Sequence, residues 1–215
     1  MARVAVLGSG TVGQVLAEGF LKHGDDVVRA SRSPEKLADW KAKAGAKAAT
    51  ATFADAVRGA DLVVLAVKGA AAEEVVRLAG PEALAGRTVI DATNPIADAP
   101  PTNGMLHYFT TLEDSLMERL QRLAPKANFV KAFSCVGNAF MVNPDFGGQK
   151  PTMFICGDDA GAKRQVQAVL ERFGWEWEDL GGVEGARAIE PLCILWCAPG
   201  FLRGQWGHAY KVLRK

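Results

Sequence analysis

This sequence has few of the residues that usually mark a metal site, a disulfide framework or a nucleic-acid surface. Its 215 residues include three histidines and four cysteines, and no two cysteines form a C-x-x-C pair. The cysteines are therefore expected to be reduced thiols of a cytoplasmic protein, and no metal site is predicted. The formal net charge is +1, from 25 basic and 24 acidic residues. This balance gives no electrostatic footprint for nucleic acid or for an anionic membrane.

Long apolar runs are also absent. No stretch approaches the ~20 apolar residues that a membrane-spanning helix needs. The N-terminal segment "MARVAVLGSG" has one arginine and a short apolar run, but no small-residue cleavage site. We interpret it as the first strand of the fold rather than a signal peptide, and we predict no membrane association.

Apolar strands and amphipathic helices alternate along the first 133 residues. Strands are predicted at 3–7, 26–31, 46–50, 61–67, 87–93 and 128–133. Helices are predicted at 11–23, 33–44, 70–79 and 111–124, the second with Ser33 as its N-cap. This alternation predicts βαβ units and therefore a doubly wound parallel sheet of the α/β class.

A glycine-rich segment, "GSGTVG", follows the first predicted strand directly, with its glycines at the G-x-G-x-x-G spacing. Gly8 permits a tight turn, Gly10 lets the backbone approach a pyrophosphate, and Gly13 lets the helix pack against the strand. The helix N-terminus then offers free N–H groups to the negative charge. This context predicts a Rossmann dinucleotide site. Its predicted cofactor-binding residues are Gly8, Ser9, Gly10, Thr11, Val12 and Gly13.

The end of the second predicted strand indicates which dinucleotide binds. An NAD site places an acidic residue there, ~20 residues after the loop, to bind the ribose 2′-hydroxyl. Here Ser31 and Arg32 lie at the carboxyl end of the strand, and Lys36 lies one turn into the next helix. A hydroxyl, a guanidinium and an ammonium attract a 2′-phosphate, which a carboxylate would repel. The pattern favours NADP(H), the alternative being an ordinary solvated helix start.

The nicotinamide half of the cofactor is expected across the carboxyl ends of the fourth, fifth and sixth strands. The further cofactor-binding candidates there are Val67, Lys68, Thr93, Asn94 and Pro95. The substrate candidates are Ser134, Cys135, Gly137 and Asn138. Their amides and hydroxyls could bind the carboxamide and the acceptor, although Asn-Pro and Val-Gly-Asn are also common in turns.

These candidates include no evident proton-transfer residue. His23 is expected on the surface and His208 in packing or on the surface, while His107 could face the mouth of the site. Lys68 could contact a phosphate or simply begin a helix, and Cys135 has no neighbouring base or second cysteine to activate it. We therefore predict no catalytic acid or base. A hydride acceptor that needs only correct geometry would explain this absence.

The last third of the chain has a different pattern. Strands predicted at 151–157 and 175–181 enclose a helix at 158–173, and a final helical region is predicted to break near Pro199. Four of the five tryptophans lie after residue 174 and could wall a planar ligand or pack against the sheet or a second subunit. We divide the chain into a dinucleotide-binding domain, 1–145, and a small αβ/helical extension, 146–215, for substrate binding or dimerisation.

Together, five segments resemble the coenzyme F420-dependent NADP oxidoreductases: "GSGTVG", "ASRSPEK", "DATNP", "FVKAFSCVGNAFMVNP" and "EGARAIEPLCILW". The resemblance covers most of the chain and is strongest before residue 160. It implies an NADP-binding Rossmann domain, a small C-terminal part, a homodimer, and direct hydride exchange between NADPH and the deazaflavin ring of F420. It also implies that Ser31, Arg32 and Lys36 bind the 2′-phosphate.

Three departures from the family pattern lie on the acceptor side. Ser134 and Cys135 replace the usual Asn-Thr, the loop 97–110 is longer and richer in proline, and the C-terminal end differs. The predicted function is therefore NADP-dependent hydride transfer to a small-molecule acceptor of the F420, deazaflavin or flavin-like type. The alternatives are reduction of a small carbonyl or imine compound, and a non-catalytic NADPH-binding sensor.

Overall fold

Six parallel strands form the main sheet, in the order β3-β2-β1-β4-β5-β6. A computed structural model describes all 215 residues. The strands are β1 (Arg3–Leu7), β2 (Asp26–Ala30), β3 (Ala48–Ala51), β4 (Leu62–Leu65), β5 (Thr88–Asp91), β6 (Asn128–Lys131), β7 (Thr152–Ile155) and β8 (Glu176–Asp179). The helices are α1 (Thr11–Lys22), α2 (Ala38–Ala44), α3 (Phe53–Val57), α4 (Gly69–Ala79), α5 (Leu116–Leu123), α6 (Ala160–Arg172), α7 (Ala186–Ile189) and α8 (Leu192–Arg203).

The central strands are apolar on both faces because helices cover both sides of the sheet. All four residues of β4 are buried, and only Arg3 of β1 is exposed. The strands also end at one level. Leu7 of β1 lies opposite Ala30 of β2 and Leu65 of β4, and the last residues of β5 and β6 continue this row. The carboxyl edge therefore brings residues from five loops together at the point where the strand order reverses.

The C-terminal region adds to the same core. β7 and β8 form a separate parallel pair, joined to β6 by one antiparallel bridge between Lys131 and Cys156. Phe173, just after α6, packs against Phe20 of α1 with ring centroids 5.0 Å apart. Residues on both sides of the predicted boundary at 145 and 146 thus share one hydrophobic cluster. The division into two domains stays a prediction.

Two helices differ from the prediction at their N-terminal ends. Pro34–Leu37 is a 3-10 helix followed by α2, and the Ser33 side chain makes no capping bond. Instead, the Ser33 N–H donates to Ser31 Oγ at 3.1 Å, so that Ser31 organises this turn. α5 begins only at Leu116, because Ser115 and Glu118 form a capping box that ends the preceding loop.

The predicted break at Pro199 is wrong. α8 continues through Pro199 to Arg203. The missing proline N–H leaves a carbonyl free near Leu195, a residue that is 57% exposed, where water can replace the lost hydrogen bond. α7 and α8 are separated only by Glu190 and Pro191, and both of these residues keep right-handed helical backbone angles. No helix has both the length and the apolar character to cross a membrane.

Candidate dinucleotide site

A groove of about 610 Å³ lies at the carboxyl edge of the sheet. Among its lining residues are nine of the predicted cofactor contacts: Ser9, Gly10, Thr11, Val12, Ser31, Arg32, Lys36, Val67 and Lys68. Apolar side chains such as Phe53 and Val75 form part of the wall. A concave site with apolar walls and a few convergent polar groups is typical of cofactor pockets.

The three glycines of the loop serve two different purposes. A Cβ atom on Gly8 would lie 2.1 Å from the carbonyl oxygen of Ala66, and one on Gly13 would lie 2.6 Å from that of Gly8. Packing within the protein therefore requires both glycines. A Cβ on Gly10 would meet nothing within 4 Å, and its φ of −80° is ordinary. The protein itself leaves open the space in front of Gly10, as expected where a ligand approaches the backbone.

The loop also has unused hydrogen-bond donors. The backbone N–H groups of residues 9–13 make no hydrogen bond within the protein. They lie at the N-terminus of α1, a helix of 12 residues without a side-chain cap. Free N–H groups at such an end carry a partial positive charge that attracts anions. The loop therefore fits a pyrophosphate in both space and charge.

The predicted 2′-phosphate residues line one part of this groove. Ser31 is buried, and because its oxygen accepts from Ser33, its O–H remains free to donate. Arg32 is 72% exposed, and its guanidinium lies 3.7 Å from the carboxylate of Glu74 on α4. Lys36 is exposed and forms no ion pair. No acidic residue follows β2 directly, so cationic side chains dominate this part of the groove. Sequence reasoning missed the carboxylate of Glu74, which lies beside Arg32.

The ends of β5 and β6 meet at a second polar cluster. Asn94 Nδ2 donates to the carbonyl oxygen of Ser134 at 2.7 Å. The other polar atoms of these two side chains, Asn94 Oδ1 and Ser134 Oγ, are buried and have no partner in the protein. A buried polar atom without a partner is costly unless a ligand or water satisfies it. Neither Asn94 nor Ser134 lines the groove described above.

The remaining predicted residues have other contacts. The Thr93 hydroxyl donates to Asp91 Oδ1 at 2.6 Å. Cys135 packs beside Met153, with its sulfur 3.9 Å from the thioether, and burial raises the pKa of its thiol to about 12. Gly137 makes room for Trp196, whose ring would lie 2.4 Å from a Cβ atom there. Pro95 is buried and Asn138 is exposed. None of these residues lines the groove described above.

The histidines contribute no group to the groove. His107 is exposed, and its Nε2 lies 2.8 Å from the Thr102 hydroxyl within the same loop. His208 stacks on Trp196 with ring centroids 5.1 Å apart. His23 stacks on Phe173 at 5.2 Å. These contacts match the packing and surface roles expected for His23 and His208.

A buried ion-pair network lies beneath the carboxyl edge. The Lys131 ammonium lies 2.7 Å from the Asp91 carboxylate and 2.9 Å from that of Glu190. It also donates to the carbonyl oxygen of Thr93 at 2.9 Å. The carboxylate of Glu190 accepts the first two N–H groups of α5, each at 3.0 Å. Burial alone would lower the pKa of Lys131, but the two carboxylates hold it above its usual value.

Sequence reasoning missed this network, although the positions of Asp91 and Lys131 in the sequence could have indicated one of its two ion pairs. Asp91 and Lys131 each end an apolar strand, and the register pairs them directly across β5 and β6. Glu190 comes from a distant turn, and nothing in the local sequence indicates its partner. The network binds the segment 93–94, the start of α5 and the C-terminal region to one another.

A sheet in the order 3-2-1-4-5-6 with an anion-binding loop after β1 defines a Rossmann-type dinucleotide-binding protein. The family model for "NADP oxidoreductase coenzyme F420-dependent" matches residues 3–95. A crystal structure from Arthrobacter sp. FB24, described as a candidate F420-dependent NADP reductase, is 31% identical with a TM-score of 0.93. The match covers 100% of both chains. The protein belongs to the coenzyme F420-dependent NADP oxidoreductase family.

Two curated relatives are similar to parts of the same fold. Metalloreductase STEAP3 of Rattus norvegicus is 30% identical over 206 residues, which is 93% of this chain and 39% of the relative. Pyrroline-5-carboxylate reductase of Mycobacterium tuberculosis is 40% identical over 79 residues, 35% of this chain and 26% of the relative. The chain thus spans well under half the length of these relatives. The comparisons confirm the predicted family, fold and class of NADP-dependent oxidoreductase.

Proposed function

We propose that the groove binds NADPH and that the protein transfers its hydride to a deazaflavin or flavin-like acceptor. The observation that carries this proposal is the cationic end of the groove. Ser31, Arg32 and Lys36 follow β2, where a carboxylate would instead select NAD. In this proposal they bind the 2′-phosphate, and the free N–H groups of residues 9–13 bind the pyrophosphate.

The two unpartnered polar atoms support a place for the nicotinamide. An amide group can donate to an oxygen such as Asn94 Oδ1 and accept from a hydroxyl such as Ser134 Oγ, so in this proposal the carboxamide lies beside these two residues. Thr93 is an indirect contributor in this proposal, because its hydroxyl is already used by Asp91. Residues 93–95 and 134–138 would then orient the nicotinamide and its acceptor rather than take part in proton transfer.

The chemistry favours an acceptor that needs no side-chain acid. If NADPH is bound, it would supply the hydride and become NADP⁺, the acceptor would gain two electrons, and water would supply the proton that completes the reduced ring. Asn94, Ser134 and Gly137 carry no titratable side chain, and the Cys135 thiol is buried with a raised pKa. An imine or carbonyl substrate would require a proton donor beside its nitrogen or oxygen. Hence a flavin-like ring fits this site better.

An acceptor screen tests this proposal. NADPH is mixed with the protein and, separately, with F420, FMN, FAD, a cyclic imine, a keto acid or a ferric chelate, and the nicotinamide absorbance is followed. Rapid oxidation with F420 or a flavin is expected. Turnover with the imine or keto acid alone would contradict the proposed acceptor class. The ferric arm is included because the relative named a metalloreductase covers most of this chain. Tight NADPH binding without any turnover would indicate a sensor.

Replacing Gly10 by alanine tests the pyrophosphate assignment. We expect NADPH affinity to fall at least about tenfold, or ~1.4 kcal/mol, because the methyl group occupies the ligand's space. Thermal stability should be nearly unchanged, since the new Cβ meets no protein atom and the φ angle is allowed. Gly207→Ala is the matched control, because Gly207 also has open space around it but lies outside the groove. Unchanged NADPH affinity in Gly10→Ala would contradict the assignment.

A further inference from the structure

Arg29, in β2, is a buried cation without a carboxylate partner. The residue is 2% exposed, and no acidic group lies within ion-pair distance of its guanidinium. Its flat face lies 5.2 Å from the ring of Trp40. Burial lowers the pKa of Arg29, and the field of Glu18 offsets only part of this effect. Buried charges in proteins are normally paired, so the fold alone does not explain why an arginine occupies this position.

The contacts of Arg29 all lead to the glycine-rich loop. Nε donates to the carbonyl oxygen of Gly8 at 3.2 Å. Nη2 donates to those of Ser9 and Gly10, at 2.8 and 3.0 Å. One guanidinium thus holds three consecutive carbonyl groups. Since these carbonyls are turned toward Arg29, the unused N–H groups of the same loop remain available to the groove.

We propose that Arg29 is a positioning residue for the pyrophosphate of the dinucleotide. It fixes the carbonyls of residues 8–10, so the loop is held in its anion-binding conformation before the ligand arrives. Its unpaired charge also adds positive potential behind the loop, which the two negative charges of a pyrophosphate balance. This inference rests on the proposed function. It separates two arginines by role, with Arg29 acting on the pyrophosphate through the loop and Arg32 on the 2′-phosphate directly.

Binding titrations with three ligands test the inference. NADPH carries both phosphate groups, NADH lacks the 2′-phosphate, and adenosine 2′-monophosphate lacks the pyrophosphate. In Arg29→Met we expect the affinities for NADPH and NADH to fall by the same factor, about 30-fold, with adenosine 2′-monophosphate within twofold of wild type. Arg29→Lys keeps the charge and should recover most of the loss. Arg3→Met is the control, because Arg3 is an exposed arginine at the start of β1, at the end of the strand away from the loop.

Each alternative result is informative. Unchanged dinucleotide affinity in Arg29→Met would overturn the inference, as would a parallel loss for all three ligands, which would indicate general damage to the groove. If Arg29→Met does not fold, Arg29→Lys still tests the inference. In Arg29→Lys, the affinity for NADPH should fall about threefold relative to the affinity for adenosine 2′-monophosphate. A ratio of the two affinities equal to that of the wild type would overturn the inference. A wild-type protein that binds neither dinucleotide would instead contradict the proposed function, before any variant is compared.

Discussion

Replacing Arg32 by aspartate is expected to lower NADPH affinity about 100-fold, or ~2.7 kcal/mol, with NADH affinity unchanged or improved. The guanidinium can bind two oxygens of the 2′-phosphate, whereas a carboxylate repels the phosphate and accepts a hydrogen bond from a ribose 2′-hydroxyl. Stability should change little. Arg32 is 72% exposed and its pair with Glu74 spans 3.7 Å, so this pair contributes ~0–1 kcal/mol. Titrating the variant with NADPH and with NADH measures this change in cofactor preference.

A control for this charge reversal lies on α4. Arg77 is 57% exposed and pairs with Glu73 at 3.0 Å, but it does not line the groove. Arg77→Asp changes the net charge equally, so it should leave the ratio of NADPH to NADH affinity as in the wild type. If Arg32→Asp weakened both dinucleotides equally, Arg32 would not be the 2′-phosphate ligand.

Replacing Lys131 by methionine is expected to reduce the free energy of unfolding by about 3–5 kcal/mol, because two buried carboxylates would lose their cation. For a chain of this size this corresponds to a fall in Tm of roughly 6–20 °C. The pKa of Lys131 is raised in the folded protein. Its contribution is therefore fully present below the ordinary lysine pKa of ~10.4 and lost only as the pH rises through the higher folded value. Urea unfolding at neutral pH measures the whole effect.

Lys126→Met provides the comparison for this variant. Lys126 pairs with Glu82 at 3.2 Å, but the two side chains are 67% and 83% exposed. Water and salt screen such a pair, so its loss should cost less than about 1 kcal/mol. Equal destabilisation in the two variants would show that the buried network contributes no more than a surface ion pair.

The network also bears on how the candidate site is held in place. Lys131 bonds the Thr93 carbonyl, and Asp91 accepts the Thr93 hydroxyl, so the segment before Asn94 is fixed from two sides. Beyond the network, Phe133 adopts a left-handed backbone with φ of 63°, which is costly for a residue with a Cβ atom. This turn lies directly before Ser134, whose carbonyl bonds Asn94. The strained backbone of Phe133 and the buried charges of the network therefore both lie beside the residues proposed to bind the nicotinamide.

Much of the fold and one end of the groove could be predicted from the sequence. The six strands follow from apolar runs, and the loop at Gly8, Gly10 and Gly13 follows from spacing within a few residues. Ser31, Arg32 and Lys36 could be placed because they lie immediately after a recognisable strand. The acceptor, the homodimer and the cytoplasmic location stay predictions.

The tertiary structure alone decided which groups meet across the edge. Glu74 approaches Arg32, Glu190 reaches Lys131, and Trp196 covers Gly137, although these partners are 42 to 59 residues apart along the chain. In the sequence, Arg29 looks like an ordinary residue of a strand. Only the structure shows that its guanidinium donates to the carbonyl groups of the loop. The physical reason is the separation along the chain over which each kind of interaction acts. Strand and helix periodicity and turn chemistry act between near neighbours, whereas the pairing of buried charges depends on how distant elements pack.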